Sequence, residues 1–249
     1  MTSAAPSVVI VVPCYDEAGR LDPDGLTELS KRSGARLLLV DDGSTDTTAA
    51  VLASLAESDP ERFAAVLQSS NVGKGETVRL GMRRALQDGA VVVGYYDADL
   101  ATPPAEMARL VATLHDRPDL DVVMGARVGL LGHAIQRSMV RHYLGRVFAT
   151  ASSIVLGLDV YDTQCGAKVF RAGPSLDAAL AEPFESRWVF DVELLGRLNR
   201  GSGGVSGLPA SAFLEVPLNE WHDVHGTKLG LRSAARAVAD LVRISVSRR

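Results

Sequence analysis

Short apolar runs alternate with helical patterns through the first half of the chain. The runs predict strands at Val8–Val12, Leu37–Val40, Ala64–Leu67, Val91–Tyr96 and Val122–Met124. The segments between them have helical periodicity and predict helices at Leu26–Ser33, Thr45–Glu57, Gly75–Gln87 and Pro104–Leu114. Continuous apolar strands separated by helices indicate an α/β fold with a mostly parallel central sheet and helices on both faces.

The second half of the chain is less regular. We predict helices at Ala134–Leu156 and Phe190–Leu198, strands at Lys168–Phe170 and Phe213–Pro217, and a Gly/Ser loop at Ser202–Gly207. A basic, helix-like segment runs from Lys228 to the end. No internal repeat or low-complexity linker interrupts the chain, which favours one domain over residues 1–249.

Acidic residues follow three of the predicted strands. Tyr15-Asp16-Glu17 follows the first strand, Asp41-Asp42 the second, and Asp97-Ala98-Asp99 the fourth. In open parallel sheets, ligands bind in the crevice at the carboxyl ends of the strands. We therefore expect the three clusters to converge on one pocket.

Composition narrows the classes of function. The net charge of the 249 residues is −4, which argues against general nucleic-acid binding. The two cysteines, Cys14 and Cys165, suit a reducing cytosol better than a disulfide framework. We see no signal peptide and no run of about 18 apolar residues, so we expect a cytoplasmic protein without a membrane span. Peripheral contact with the inner face of the membrane stays open.

Asp97-Ala98-Asp99 has the composition of a divalent-cation site. Mg²⁺ and Mn²⁺ prefer oxygen ligands and often bridge protein carboxylates to substrate phosphates. Two carboxylates beside an apolar strand are also costly unless something pairs them. The alternative interpretation of the tripeptide is a solvated turn or a helix cap.

Three further segments suit nucleotide binding. One aspartate of Asp41-Asp42-Gly43-Ser44-Thr45-Asp46 can accept hydrogen bonds from a base or ribose, while Tyr15 can stack on a base and Glu17 can bind beside it. In Asn71-Val72-Gly73-Lys74-Gly75, glycines before a helix allow close backbone approach to an anion, and Lys74 adds charge. The alternatives are ordinary turns and a flexible helix entry.

These motifs, in their order and spacing, resemble the family-two glycosyltransferases of the GT-A, Rossmann-like fold. In the second half, Asp162-Thr163-Gln164-Cys165-Gly166-Ala167-Lys168-Val169-Phe170, Trp188–Leu195 and Glu215-Val216-Pro217 look like the polyprenyl-phosphate sugar synthases. Asp99-Leu100-Ala101-Thr102-Pro103 and Gly226-Thr227-Lys228-Leu229 are similar to the dolichyl-phosphate β-glucosyltransferase branch. The resemblance covers residues 7–240.

The resemblance implies a nucleotide-sugar-binding half at about residues 7–125 and an acceptor-binding half at about 126–249. In the first half, it implies that the nucleoside and diphosphate are held by Pro13, Tyr15, Glu17, Asp42, Lys74 and Asp97. Asp97 and Asp99 would bind Mg²⁺ or Mn²⁺, with Asp99 as a direct ligand. In the second half, Arg127, Gln164 and Asp191 would lie near the sugar or acceptor, and Lys228 near a phosphate.

Three positions depart from the family pattern. Where the first motif commonly has an asparagine, this chain has Asp16. Mannosyl-transferring relatives often carry a glutamine as a further metal ligand where this chain has Ala101. The usual aromatic residue after Cys-Gly is Ala167, which weakens the match on the acceptor side.

The implied reaction is a direct displacement that inverts the anomeric carbon. A hydroxyl acceptor needs a general base, whereas a phosphate acceptor is already ionised and needs cationic guidance instead. Residues 122–158 contain no acidic residue and carry arginines at positions 127, 137, 141 and 146, which suits a lipid phosphate at a membrane surface. A solvated helix face is the alternative. The basic C-terminal segment fits either an interfacial helix or a core-packed one.

We therefore predict a metal-dependent transferase that moves a sugar, with UDP-glucose as the expected donor, to a polyprenyl phosphate. One alternative is a soluble glycosyltransferase acting on a small hydroxylated metabolite, with Asp162, Asp191 or Glu193 as the base. Others are a nucleotidyltransferase, which would release pyrophosphate, and a non-catalytic nucleotide-sugar-binding module. The oligomeric state is left open.

Overall fold

The computed structural model describes residues 7–135, 139–186 and 189–222, without the side chains of residues 139–147. Lys228 and the predicted C-terminal basic helix lie outside the described residues, as do Arg137 and the side chains of Arg141 and Arg146. The strands are β1 (Val8–Cys14), β2 (Arg36–Asp41), β3 (Phe63–Leu67), β4 (Val92–Tyr96), β5 (Val122–Ala126), β6 (Ala134–Ile135), β7 (Ala167–Arg171), β8 (Gly201–Ser202), β9 (Val205–Ser206), β10 (Phe213–Pro217) and β11 (Glu220–Trp221).

The helices within these ranges flank the strands in the alternation that the sequence predicts. They are α1 (Pro23–Ser33), α2 (Thr48–Ser58), α3 (Lys74–Gln87), α4 (Pro104–Asp116), α5 (Met139–Leu156), α6 (Pro174–Ala181) and α7 (Phe190–Arg200). A single turn of 3₁₀ helix spans Ala210–Ala212. Among the residues that the structure describes, no helix is both long enough and apolar enough to cross a membrane.

The central sheet has seven strands in the order β10-β5-β7-β4-β1-β2-β3. All neighbours pair in parallel except β7, which runs antiparallel to both β4 and β5. The predicted α/β fold with a mostly parallel sheet is confirmed. The reversal of β7 matters for the site, because it brings the start of that strand to the edge where its neighbours end.

Alternate residues of each central strand pack into two separate apolar cores. In β1, Val9 and Val11 join one core with Met82 of α3, whereas Ile10 and Val12 join the other with residues of α1 and α4. Both faces are therefore buried, which is why the strand sequences are continuous apolar runs rather than alternating ones.

Three predicted boundaries are wrong in the second half and around α2. Ala134 and Ile135 form a strand that pairs in parallel with β11 and do not belong to the long helix, which spans Met139–Leu156. The Gly/Ser loop contains the antiparallel pair β8 and β9. Helix α2 begins at Thr48 rather than Thr45, because the backbone N–H of Thr45 donates to Asp16 Oδ1 at 2.8 Å.

Candidate active site

The carboxyl ends of β1, β2 and β4 meet at one edge of the sheet. Cys14 at the end of β1 pairs with Asp41 at the end of β2, and Tyr96 at the end of β4 pairs with Ala167 at the start of β7. The loops that follow Cys14, Asp41 and Tyr96 therefore share this edge with the loop that precedes Ala167. The three acidic segments therefore lie at the same edge of the sheet.

Asp97 is constrained at this edge by β7 and by Lys74. Its backbone N–H donates to the carbonyl of Gly166 at 2.9 Å. Its Oδ1 lies 2.6 Å from Nζ of Lys74, with which it forms an ion pair. A Cβ added to Gly166 would lie 2.1 Å from Oδ2 of Asp97, so only glycine leaves room for the carboxylate.

The two carboxylates of Asp97-Ala98-Asp99 have opposite electrostatic environments. Burial opposes ionisation of Asp97, but attraction from Lys74, Lys168 and Arg127 holds its pKa below the usual value. Burial and the charge of Asp97 together raise the pKa of Asp99. Asp99 Oδ1 also accepts a hydrogen bond from the backbone N–H of Ala101 at 3.1 Å, which orients the side chain. Asp99 is thus the carboxylate that a cation would stabilise more.

The donor set at this edge fits a cation only in part. Over the described ranges, no group of three or more His, Cys, Asp or Glu side chains is arranged to hold a metal ion. Asp97 and Asp99 supply two carboxylates, and Oδ1 of Asp97 is already paired with the ammonium of Lys74. Mg²⁺ commonly binds through one or two carboxylates and substrate phosphates, so two carboxylates suit a cation that arrives with a diphosphate.

Asp42 shapes the segment that precedes α3. Its two carboxylate oxygens accept hydrogen bonds from the backbone N–H groups of Val72 and Gly73, at 2.7 and 2.9 Å. The side chain is buried. Asp42 thereby fixes the loop whose next residue, Lys74, reaches Asp97.

The segment after β1 presents an aromatic ring rather than a free carboxylate. Tyr15 is 43% exposed, and Pro13 pairs with Val40 inside the sheet. The carboxylate of Glu17 is bound by the guanidinium of Arg20, with Nη2 to Oε1 at 2.5 Å. Tyr15 is therefore the group of this segment that can stack on a base.

A buried ionic network lies behind Asp97. Nζ of Lys168 donates to Asp191 Oδ1 at 2.6 Å, to the hydroxyl of Tyr95 at 2.7 Å and to the carbonyl of Cys165 at 2.7 Å. The hydroxyl of Tyr95 also donates to Asp191. The side chain of Lys168 is 1% exposed and that of Asp191 9%. The network joins β4, β7 and α7, and it holds the carbonyl that precedes Gly166.

A second network holds Arg127, at the end of β5. Its guanidinium donates twice to Asp162, from Nε at 2.6 Å and Nη2 at 2.8 Å. The carboxylate of Glu215 accepts in turn from the backbone N–H groups of Tyr161 and Asp162, at 2.6 and 2.7 Å. The guanidinium also lies over the ring of Trp221, 5.5 Å from its centroid.

Comparison with known proteins assigns the family. The sequence model of Glycosyl transferase family 2 matches residues 9–175. The chain belongs to this family. It is therefore a glycosyltransferase, and the resemblance drawn from the sequence motifs is confirmed.

Two curated relatives match nearly the whole chain, and a third matches about two thirds of it. It is 29% identical over 263 residues to the dolichyl-phosphate beta-glucosyltransferase of Saccharomyces cerevisiae, covering 96% of this chain and 74% of that protein. The same-named protein of Dictyostelium discoideum is 29% identical, with 94% and 72% covered. An undecaprenyl-phosphate 4-deoxy-4-formamido-L-arabinose transferase from Sodalis glossinidius is 32% identical, with 66% and 48% covered.

Solved structures support the fold. Glucosyl-3-phosphoglycerate synthase from Mycobacterium tuberculosis, in complex with Mn²⁺ and UDP, superposes with a TM-score of 0.67 at 18% identity, covering 97% of this chain and 79% of that one. The mannosyltransferase PcManGT from Pyrobaculum calidifontis superposes with a TM-score of 0.58 at 18% identity, with 98% and 64% covered. At these identities the likeness establishes the GT-A fold.

In this glycosyltransferase, the structure groups the residues singled out from sequence into three sets. Tyr15, Lys74, Asp97 and Asp99 lie on segments that meet at one edge of the sheet. Asp42 and Glu17 lie on the same segments but bind protein groups, whereas Asp191 lies on α7 and is paired with Lys168. Arg127 is bound to Asp162, and Gln164 is exposed in the loop that ends at Gly166.

The sequence analysis did not predict the ion pairs between Lys168 and Asp191 and between Arg127 and Asp162. Lys168 was read only as part of a short strand, although a lysine within the buried run Ala167–Phe170 must have a buried partner. That pattern was the available signal for an ion pair. No comparable local signal marked Asp191 or Asp162 as the partner.

Proposed function

We propose that this glycosyltransferase moves glucose from UDP-glucose to a polyprenyl phosphate, with inversion at the anomeric carbon and with Mg²⁺ or Mn²⁺ bound. The similarity to dolichyl-phosphate beta-glucosyltransferases over 96% of the chain supports this donor and acceptor. In the reaction, an acceptor phosphate oxygen forms the bond to the sugar carbon, and the bond from that carbon to the UDP oxygen breaks on the opposite face.

The ion pairs made by the acidic residues of the second half favour a phosphate as the acceptor. Asp162, Asp191 and Glu193 are the carboxylates in the second half that sequence analysis proposed as a general base. Each is buried in an ion pair, with Arg127, Lys168 and Arg197 at 2.6, 2.6 and 2.8 Å. A carboxylate whose oxygens are bound to a buried cation is not free to take a proton from an acceptor hydroxyl. An acceptor that is already ionised needs no such base, which favours a phosphate over a hydroxyl.

The donor would lie along the edge of the sheet from β1 to β4. We propose that Tyr15 stacks on the base, while Pro13, Glu17 and Asp42 keep the nucleoside-binding loops in place. Asp97 and Asp99 would hold the cation, which offsets charge on the diphosphate leaving group when it is bound. Lys74 is 2.6 Å from Asp97 and would lie close to the same phosphates.

The acceptor side would be formed by residues from the second half. We propose that Arg127, fixed by Asp162, lies near the sugar or acceptor and that Gln164 does so from the neighbouring loop. Asp191 would act through Lys168 rather than by touching the substrate. Lys228 remains a proposed phosphate contact. A polyprenyl acceptor also implies peripheral association with a membrane surface.

A donor and acceptor screen tests the function. Purified protein is incubated with UDP-glucose, other nucleotide sugars and Mg²⁺ or Mn²⁺, and release of nucleoside diphosphate is measured with and without polyprenyl phosphate. The matched control acceptor is the same polyprenol without its phosphate. We expect UDP release from UDP-glucose only with the phosphorylated lipid. Equal transfer to small hydroxylated metabolites without lipid would overturn the proposed acceptor, and release of pyrophosphate would identify a nucleotidyltransferase.

A further inference from the structure

Two leucines project from the edge of the sheet that carries the site. Leu131 is fully exposed and Leu130 is 47% exposed, and they lie three and four residues after Arg127, in the loop that follows β5. Single exposed apolar residues are ordinary on protein surfaces. Two adjacent exposed leucines at the tip of a loop form a small apolar patch that protrudes from the surface. We call residues 128–133 the Leu130–Leu131 turn.

A backbone hydrogen bond and a glycine with positive φ define the turn that carries the leucines. The backbone N–H of His133 donates to the carbonyl of Leu130 at 3.1 Å, which closes a four-residue turn with Leu131 and Gly132 at its centre. Gly132 has φ +85°, the conformation that glycine adopts most readily in the third position of such a turn. Leu131 is thus held outward by hydrogen bonds of the backbone.

The base of the turn is attached to the strands of the site. His133 Nδ1 lies 2.7 Å from the carbonyl of Leu218, and the N–H of Ala134 donates to the carbonyl of Asn219 at 2.8 Å. On its other side, Arg127 is bound to Asp162. The leucines therefore have a fixed position relative to the loop that contains Gln164 and Gly166.

The charge pattern of the surrounding sequence favours an anionic surface as the partner. No aspartate or glutamate occurs between residues 122 and 158, whereas Arg137, Arg141 and Arg146 follow the turn within 15 residues of Leu131. Basic segments are attracted to anionic lipid headgroups, and apolar side chains beside them insert at the boundary with the acyl chains.

We propose that the Leu130–Leu131 turn is the point at which the protein enters an anionic lipid bilayer, with the leucine side chains among the acyl chains. This inference rests on the proposed function, since a polyprenyl phosphate is held in a bilayer with its phosphate at the surface. Insertion next to Arg127 brings the open edge of the sheet to that phosphate. The turn thereby sets the height of the site above the membrane.

Vesicle binding tests the inference without catalysis. The full chain is sedimented with vesicles of equal parts phosphatidylcholine and phosphatidylglycerol, and with phosphatidylcholine alone. Leu131→Asp is compared with Val91→Asp, which places the same charge on a 57% exposed residue before β4, at the opposite edge of the sheet. We expect Leu131→Asp to weaken binding to the anionic vesicles about tenfold or more, and Leu131→Ser to weaken it less. Val91→Asp should bind like the unaltered protein.

Activity measurements separate failure of this inference from failure of the proposed function. With a short-chain, water-soluble isoprenyl phosphate, Leu131→Asp should keep its activity, whereas with vesicle-embedded polyprenyl phosphate it should lose it. Equal vesicle binding by Leu131→Asp and the unaltered protein would overturn the membrane contact, whatever the enzyme transfers. A change of oligomeric state in Leu131→Asp, with vesicle binding retained, would contradict it too and identify a contact between copies of the chain.

Discussion

The carboxylate of Asp97 rests against the Cα of Gly166, where a Cβ would lie 2.1 Å from Oδ2. The two residues are also joined through the backbone, from the N–H of Asp97 to the carbonyl of Gly166 at 2.9 Å. The antiparallel strand β7 makes this contact, since it begins beside the end of β4. The Asp97-Ala98-Asp99 segment is thus positioned from a strand that follows it by about 70 residues in the sequence.

Gly166→Ala should displace the Asp97 carboxylate. Because small displacements of a reacting or ligating group are costly, we expect kcat/KM to fall about 100-fold and the concentration of Mn²⁺ needed for half-maximal activity to rise. Steady-state kinetics with a metal titration measures both. Gly173→Ala is the matched control, since nothing lies within 4 Å of the added Cβ and the backbone is extended there. Equal activity of the two variants would contradict the role of Gly166.

Asp99→Asn should remove most of the turnover while leaving the fold intact. The amide has the size of the carboxylate but lacks the charge that a divalent cation needs, so we expect a loss of about 100-fold or more. Asp119→Asn, in an exposed ion pair with Arg117 on the surface, is the control and should retain activity. UDP release and the thermal midpoint are measured for both. An active Asp99→Asn enzyme would exclude the proposed metal site.

Lys168→Met should destabilise the protein strongly, because it leaves Asp191 buried without its cation. Removing one partner of a buried pair typically costs about 3–5 kcal/mol. The double variant Lys168→Met with Asp191→Leu removes both charges and should recover much of that loss. The free energy of unfolding in urea measures the difference. A double variant no more stable than Lys168→Met would contradict the account of the pair.

Loss of the Lys168–Asp191 pair should also weaken metal binding at Asp97 and Asp99. The double variant keeps an apolar interior but no longer holds the carbonyl of Cys165, to which Lys168 Nζ donates at 2.7 Å. We expect it to need more Mn²⁺ for half-maximal activity than the unaltered protein. If the double variant regains stability and needs no more Mn²⁺ than the unaltered protein, the Lys168–Asp191 pair has only a structural role.

The stability of the protein should respond to pH through Asp99. Burial and the charge of Asp97 raise the pKa of Asp99 above the ordinary 3.8, so the folded protein binds this proton more tightly than the unfolded chain does. The contribution of Asp99 to stability is therefore largest below 3.8 and decreases as pH rises through the folded pKa.

A bound cation should reverse this trend, because it favours ionised Asp99. We expect Mn²⁺ with UDP to raise the thermal midpoint more as the pH rises through that range, and to do so less in Asp99→Asn. Thermal melts across the pH series, with and without Mn²⁺ and UDP, measure the effect. A stabilisation by Mn²⁺ and UDP that is the same in Asp99→Asn would contradict the assignment.

The sequence alone determined the central strands, the polar residues at their carboxyl ends and the family. Apolar periodicity is a local signal, and buried parallel strands express it strongly, as in Val8–Val12 and Val91–Tyr96. The order of these segments then placed Asp42 and Asp97 at one edge, since all parallel strands end there. The Asp97-Ala98-Asp99 motif needed no tertiary information to be found.

Only the tertiary structure decided which side chains remain available for chemistry. Asp191 and Asp162 look like free carboxylates in the sequence, yet they pair with Lys168 and Arg127, 23 and 35 residues away. The short segment at Ala134 likewise becomes a strand because β11 lies beside it. These ion pairs and this strand pair form only between elements that the fold brings into contact. The free energy of a buried charge in turn depends on the partner that lies beside it.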